Sequence, residues 1–191
     1  MFKFFAYLDR MKYIKRWSLM RSVREENIME HSQQVAVIAH ALAVINRKVF
    51  GGNADTEKTV LLAQYHEVGE VITGDLPTPI KYFNPEIKTA YKDLEHKACE
   101  RILAMLPDGF AEEYEKYILP DENCYEYKLV KGADRLSAYL KCVEEIKAGN
   151  SEFKKAKSSI EKDLKSQKIP EIDFFLENFA PAFSLTLDEL D

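Results

Sequence analysis

Apolar residues recur at three- and four-residue steps along most of the chain, the spacing that gathers them on one face of an α-helix. Phe4, Phe5, Leu8, Met11 and Ile14 predict a first amphipathic helix, and Glu30 to Lys48 a second, stopped by Gly51-Gly52. Asp55 or Thr56 can cap a third helix through LLAQYH, because their side-chain oxygens accept from its free N–H groups. Asn84-Pro85-Glu86 supplies a cap, a proline at the first turn and an acid, and opens a fourth helix to about Leu106. A shorter helix follows around Phe110 to Leu119. Asn123 with Glu126 three positions on reads as a capping box for a long helix ending at Gly149-Asn150. Ser151 to Lys165 and Pro170 to Phe179 complete the set. Few runs alternate for long enough to be strands, no segment repeats, and no linker interrupts the pattern. The expectation is an all-α, orthogonal helical bundle in a single domain over residues 1–191.

Composition sharpens this picture by exclusion. At 191 residues the chain is long enough to bury a real core, and 46% hydrophobic with 31% charged residues argues against disorder. No apolar run approaches the ~20 residues that span a bilayer, and MFKFFAYLDRMKYIKRW lacks a signal-peptide pattern, so the protein is expected in the cytoplasm without membrane contact. Cys99, Cys124 and Cys142 form no metal-type pair, and their odd number fits reduced thiols. The net charge of −5 offers no general basic face for nucleic acid, so a phosphate substrate would depend on local charge. Lys154, Lys155, Lys157, Lys162 and Lys165 alternate with acids as solvated helix faces.

Within this helical chain His31, the adjacent pair His66-Glu67, and Asp134 form a scattered set of metal-type ligands. Two helices would give one ligand each and a third an adjacent pair, so one cation could join three helices at a cleft. Neutral imidazole with carboxylate suits a first-row divalent ion such as Co²⁺, Mn²⁺ or Zn²⁺. His40 lies nine residues beyond His31, half a turn away at ~100° per residue, and cannot share its face. His96, amid Asp93, Glu95 and Lys97, reads as a surface residue. Glu70 is four residues past His66 and, in a continuous helix, on its face; general acid/base catalysis and a solvated helix-end carboxylate fit it equally. Asp134 sits mid-helix, where either a metal or Lys131/Arg135 must neutralise it. In GDLPTP, Pro77 and Pro79 stiffen a segment that lacks any phosphate-loop pattern; Asp75 and Thr78 could meet a sugar or phosphate, or simply turn the chain. Arg16-Trp17 offers a planar cation and the only tryptophan, which alone fits a surface ion pair and a core anchor as well as a ligand site.

The order His31…His66-Glu67…Asp134 resembles the HD phosphohydrolase superfamily, with Glu67 where the family motif has Asp. The runs Arg16–Ala43, Tyr65–Phe83 and Leu129–Asn150, with the ending FAPAFSLTLDEL, are similar to the bacterial HD-domain 5'-deoxynucleotidases over nearly the whole chain. The resemblance implies the HD-type fold, a homodimer, and a nucleoside 5'-monophosphate substrate hydrolysed with one divalent ion. It assigns the metal to His31, His66, Glu67 and Asp134, proton transfer to Glu70, and phosphate charge to Arg16. Substrate contacts fall to Arg16, Trp17, Asp75, Leu76, Pro77 and Thr78. Two-metal relatives need several more histidines than the four present, which favours a mononuclear site. Two alternatives stand beside this reading: an HD phosphohydrolase acting on a different nucleotide, and a metal- or nucleotide-binding protein whose catalysis Glu67 has weakened.

Overall fold

The computed structural model describes residues 1–81 and 83–191; Tyr82, inside the Tyr65–Phe83 run, lies outside them. The chain forms α1 (Phe4–Leu8), α2 (Ile28–Lys48), α3 (Thr56–Tyr65), α4 (Glu70–Thr73), α5 (Thr78–Lys81), α6 (Pro85–Leu103), α7 (Ala111–Ile118), α8 (Tyr125–Lys147), α9 (Lys154–Ser166) and α10 (Pro170–Asn178). Short 3-10 turns cover Asp9–Tyr13, Ser151–Phe153, Ala180–Ser184 and Leu187–Glu189. Among the described residues there is no strand, only an isolated antiparallel bridge between Lys15 and Asn27, and the architecture is all-α as expected. No described helix is long and apolar enough to cross a membrane.

Several boundaries follow the local chemistry read from the chain. Asp55 accepts from the Lys58 N–H to cap α3, and Asn84 accepts from Ile87 with Pro85 in the first turn of α6. Others differ. Helix α2 starts at Ile28, two residues before Glu30, because Asn27 accepts from the N–H groups of Met29 and Glu30. The first helix tightens into a 3-10 turn at Asp9 rather than running on to Ile14. The expected capping box does not form: α8 opens after Cys124, and Glu126 instead accepts from Asp55 N–H and Lys58 Nζ of the α3 start. A partner elsewhere in the fold outcompetes the local cap.

Two apolar clusters divide the interior. The larger packs Val35, Leu42, Leu62, Leu129, Leu136, Phe153, Leu164 and Ile172 from α2, α3, α8, the 3-10 turn before α9, α9 and α10. The smaller joins Phe4, Met11, Ile28, Val68, Ile102 and Ile118 from the N-terminal segment, the start of α2, α6, α7 and the turn after α3. Gly132 lets α8 and α10 close together, since a Cβ there would lie 2.7 Å from Ile172 Cδ1. His31 sits on α2 between Ile28 of one cluster and Val35 of the other, while Val68 and Ala133 flank Glu67 and Asp134. The candidate ligands therefore lie where the two cores meet.

Candidate metal centre

Four side chains from three helical segments converge at that seam: His31 from α2, His66 and Glu67 from the turn after α3, and Asp134 from α8. Each offers one ligand atom, and these atoms all lie within 4.8 Å of one another. His31 Nε2 is 3.1 Å from Asp134 Oδ1 and 3.9 Å from Glu67 Oε1; His66 Nε2 is 3.3 Å from Glu67 Oε1. Donors bound at ~2.0–2.2 Å stand at most roughly 4.4 Å apart across an ion, so small side-chain rotations close this set onto one cation. Glu67, with one methylene more than Asp, still places its carboxylate in the cluster.

Adjacent side chains on a helix splay by about 100° or more, so an ion shared by His66 and Glu67 sits beside the helix end, between their directions. The α-helix itself ends at Tyr65. Residues 66–69 form tight turns, with Val68 N–H on Tyr65 O and Glu70 N–H on Glu67 O, before α4 begins. Gly69 permits the close approach this needs, as a Cβ would stand 3.1 Å from Cys99 Sγ. Glu70 therefore reaches the site through a broken helix, not along one continuous face.

Second contacts fix which nitrogens face the centre. His66 Nδ1–H donates to Ala63 O at 2.6 Å, leaving Nε2 with its lone pair buried and without a hydrogen-bond partner. Behind His31, Ser137 Oγ donates to Gln34 Oε1 at 2.6 Å and so accepts from His31 Nδ1 at 3.1 Å. His31 Nε2 then points a lone pair at the Asp134 carboxylate. Two acceptors in contact repel unless a cation lies between them. Burial, aided by Arg16, holds the His31 pKa below its ordinary value, which keeps the imidazole in the neutral form that binds metals. These observations fit a divalent ion.

The acids around this centre divide by environment. Burial alone would raise Glu67, but the adjacent His66 outweighs it and holds the acid below the usual carboxylate range. Asp134 is held low against the same cost of burial by the adjacent His31 and by Lys131, 4.0 Å away; Arg135 turns away to Asp163 at 2.8 Å. Glu70 goes the other way: burial and the neighbouring Glu67 charge push it up to about 11. It is only 4% exposed and its Oε2 has no hydrogen-bond partner, so it is no solvated helix-end carboxylate. Arg16 lies among Asp134, Glu67, Glu26 and Asp75, with its NH1 3.8 Å from Glu67 Oε1.

The remaining expected residues are less uniform. Asp75 faces Arg16 and is raised by burial. Gly74, at φ +73°, ends α4, and its carbonyl accepts from Tyr91 OH at 3.0 Å, pinning the loop to α6. Leu76 and Pro77 are half-buried along that loop, and Thr78 is exposed at the start of α5. Trp17 packs on Phe153 with ring centroids 5.3 Å apart. His40 and His96 are exposed and outside the cluster, as expected. A cavity of about 230 Å³ opens beside His66, Glu67 and Glu70, with Lys81, Tyr127 and Lys131 on its walls. Glu26, Gln34 and Ser137, which orient Arg16, Trp17 and His31, carry no signal in the sequence pattern.

Comparison with known proteins gives a consistent result. The family profile described as 5'-deoxynucleotidase YfbR-like matches residues 3–183. A protein of Vibrio vulnificus named 5'-deoxynucleotidase is 52% identical over 188 residues, covering 98% of this chain and 97% of that one. One of Yersinia pestis with the same name is 53% identical over 190 residues, covering 98% and 95%. Among solved structures, an HD-domain phosphohydrolase from Listeria innocua superimposes with a TM-score of 0.81 at 21% identity, covering 95% of this chain and 88% of that one. A cyanophage S-2L HD phosphohydrolase, DatZ, bound to dA and one catalytic Zn²⁺ ion, has a TM-score of 0.68 at 19% identity and covers 92% and 95%.

Proposed function

The chain belongs to the YfbR-like 5'-deoxynucleotidase family, and from that premise we propose that it hydrolyses deoxyribonucleoside 5'-monophosphates on one divalent ion held by His31, His66, Glu67 and Asp134. The observation that carries the reading is the buried, unpartnered His66 Nε2 beside the Glu67 carboxylate, with the His31 lone pair opposed to Asp134. The mixed nitrogen and oxygen set favours Mn²⁺, Co²⁺ or Zn²⁺ over Ca²⁺, which takes oxygen alone; DatZ carries Zn²⁺. When bound, such an ion supplies Lewis acidity to phosphate oxygen and lowers the pKa of a water.

The side chains do the rest. Arg16 presents its guanidinium to the phosphoryl oxygens and offsets their growing charge. Water forms the new P–O bond as the bond from phosphorus to the 5' oxygen breaks. Glu70, kept protonated by its buried position beside Glu67, gives its proton to the departing 5' oxygen and takes one back from the water. Trp17 closes on the sugar, and Asp75, Leu76, Pro77 and Thr78 form the wall that aligns it. The products are deoxynucleoside and phosphate. The protein acts as a cytoplasmic homodimer on free nucleotides, without nucleic acid, in this reading. Phosphate release from a panel of deoxy- and ribonucleoside 5'-monophosphates, 3'-monophosphates and 5'-diphosphates tests it. Deoxyribonucleoside 5'-monophosphates should be turned over fastest; preference for a diphosphate or a 3'-phosphate would overturn the assignment.

A further inference from the structure

The segment that carries Arg16 and Trp17 is a closed loop. Arg16 N–H donates to Glu26 O at 2.9 Å and Ile28 N–H to Ile14 O at 3.0 Å, so the chain leaves and re-enters at one point. Within that loop one carboxylate is shared. Glu26 Oε2 accepts from Arg16 Nε at 3.3 Å and from Trp17 Nε1 at 2.9 Å, and its other oxygen lies 3.9 Å from His31 Nδ1. The side chains of Glu26 and Arg16 are only 13% and 12% exposed, so water screens this contact little. Trp17 has φ +58°, a left-handed backbone that a tryptophan rarely adopts and that persists only where its surroundings hold it. The Glu26 hydrogen bond on the indole and the Phe153 ring against it supply that hold.

We infer that Glu26 is a positioning residue: one carboxylate locks the Arg16 guanidinium and the Trp17 indole in register with the metal centre, coupling phosphate grip to sugar selection. The inference rests on the roles given to Arg16 and Trp17 above. Because Glu26 occupies Arg16 Nε, the end of the guanidinium, with NH1 3.8 Å from Glu67 Oε1, remains for phosphate oxygens. Asn27, the next residue, caps α2, whose first turn carries His31. Glu26 thus stands between the substrate loop and a ligand helix while holding neither metal nor substrate.

Trp17 is the only tryptophan in the chain, so its emission reports the Glu26 contact without any substrate. In Glu26→Ala, the emission should shift to the red and become more accessible to a soluble quencher. The KM for a deoxyribonucleoside 5'-monophosphate should rise about tenfold, equivalent to about 1.4 kcal/mol, and the preference for deoxyribose should narrow. Bound metal per chain should be unchanged. Glu26→Gln keeps an acceptor for the indole but loses the charge facing Arg16, so emission and sugar preference should stay while KM rises. Adding Arg16→Ala to Glu26→Ala should add little beyond Arg16→Ala alone, since one contact is shared. Unchanged emission and sugar preference in Glu26→Ala, or fully additive effects in the double variant, would overturn the inference. If the parent enzyme shows no preference for deoxyribose, the functional reading fails instead, and the emission result still decides the role of Glu26.

Discussion

Removing the Glu145 carboxylate should cost about 3 kcal/mol of folding stability, because that group ties the loop between Arg16 and Glu26 to α8 from a fully buried position. Glu145 is 1% exposed. It accepts from Val23 N–H at 2.8 Å, Arg24 N–H at 3.2 Å, Asn150 Nδ2 at 2.8 Å and Lys141 Nζ at 2.6 Å. Lys141, equally buried, also donates to Arg24 O at 2.6 Å, and Asn150 Nδ2 to Arg21 O at 2.6 Å. Glu145→Ala leaves a buried ammonium without its counter-charge and two backbone donors without acceptors, a loss of about 3–5 kcal/mol for a broken buried pair. The acidity gives a second measure. Burial opposes ionisation, but the hydrogen bonds from Lys141, Val23, Asn150 and Arg24 outweigh it and hold Glu145 at about 2 rather than 4.5. At ~1.4 kcal/mol per unit, that difference amounts to about 3 kcal/mol. Because the folded-state value is the lower one, this stability is present above pH 4.5 and is lost as pH falls from 4.5 towards 2. Urea unfolding at neutral pH and along an acid series reads both quantities. The midpoint temperature of Glu145→Ala should drop by about 6–12 °C, and the variant should lose less stability than the parent on acidification. Replacing both partners, Lys141→Met with Glu145→Leu, should cost less than Glu145→Ala alone. A neutral-pH loss below about 1 kcal/mol for Glu145→Ala would refute the reasoning.

Five further substitutions probe the site. Glu70→Gln keeps the shape but cannot exchange a proton, so kcat should fall by about 10²–10⁴-fold while bound metal stays the same, measured by elemental analysis and steady-state rates. Glu67→Asp draws the carboxylate back by roughly one C–C bond of ~1.5 Å and should retain metal and turn over at least as fast, whereas Glu67→Ala should lose metal affinity and activity together. Trp17→Ala should narrow the gap between deoxy- and ribonucleotide rates, whereas Arg16→Ala should impair both alike because both carry the same phosphate; an unchanged gap in Trp17→Ala would mean that the sugar is read elsewhere.

The helical bundle was legible because apolar spacing and caps are local. Asn84-Pro85 and Asp55 hold their helices through contacts within three residues, and such signals survive in any tertiary setting. Glu126 shows the limit: its expected local partner gave way to Asp55 and Lys58, distant in sequence and adjacent in space. The candidate ligands were legible as residue types, since imidazoles and acids are few in an apolar helical frame. Their convergence was not, because it depends on how α2, the turn after α3 and α8 pack together, contacts between residues far apart in sequence. Glu70 could not be told from a surface acid until its burial against Glu67 was visible. Glu26 has partners nine and ten residues back across a loop, a separation to which no helical or strand period points. The end of the Leu129–Asn150 run was readable only as a resemblance; its physical content is the Lys141, Glu145 and Asn150 hold on residues 21–24.

The central claim is that one ion on His31, His66, Glu67 and Asp134 makes this chain a phosphatase for deoxyribonucleoside 5'-monophosphates. It is tested most directly by titrating metal-stripped protein with Mn²⁺, Co²⁺ or Zn²⁺ while counting bound ions per chain and following phosphate release in the same samples. Release should be absent in excess chelator, rise in step with binding, and level off at one ion per chain, and His66→Ala should abolish both binding and release. Undiminished phosphate release from the metal-stripped protein in excess chelator would contradict the account.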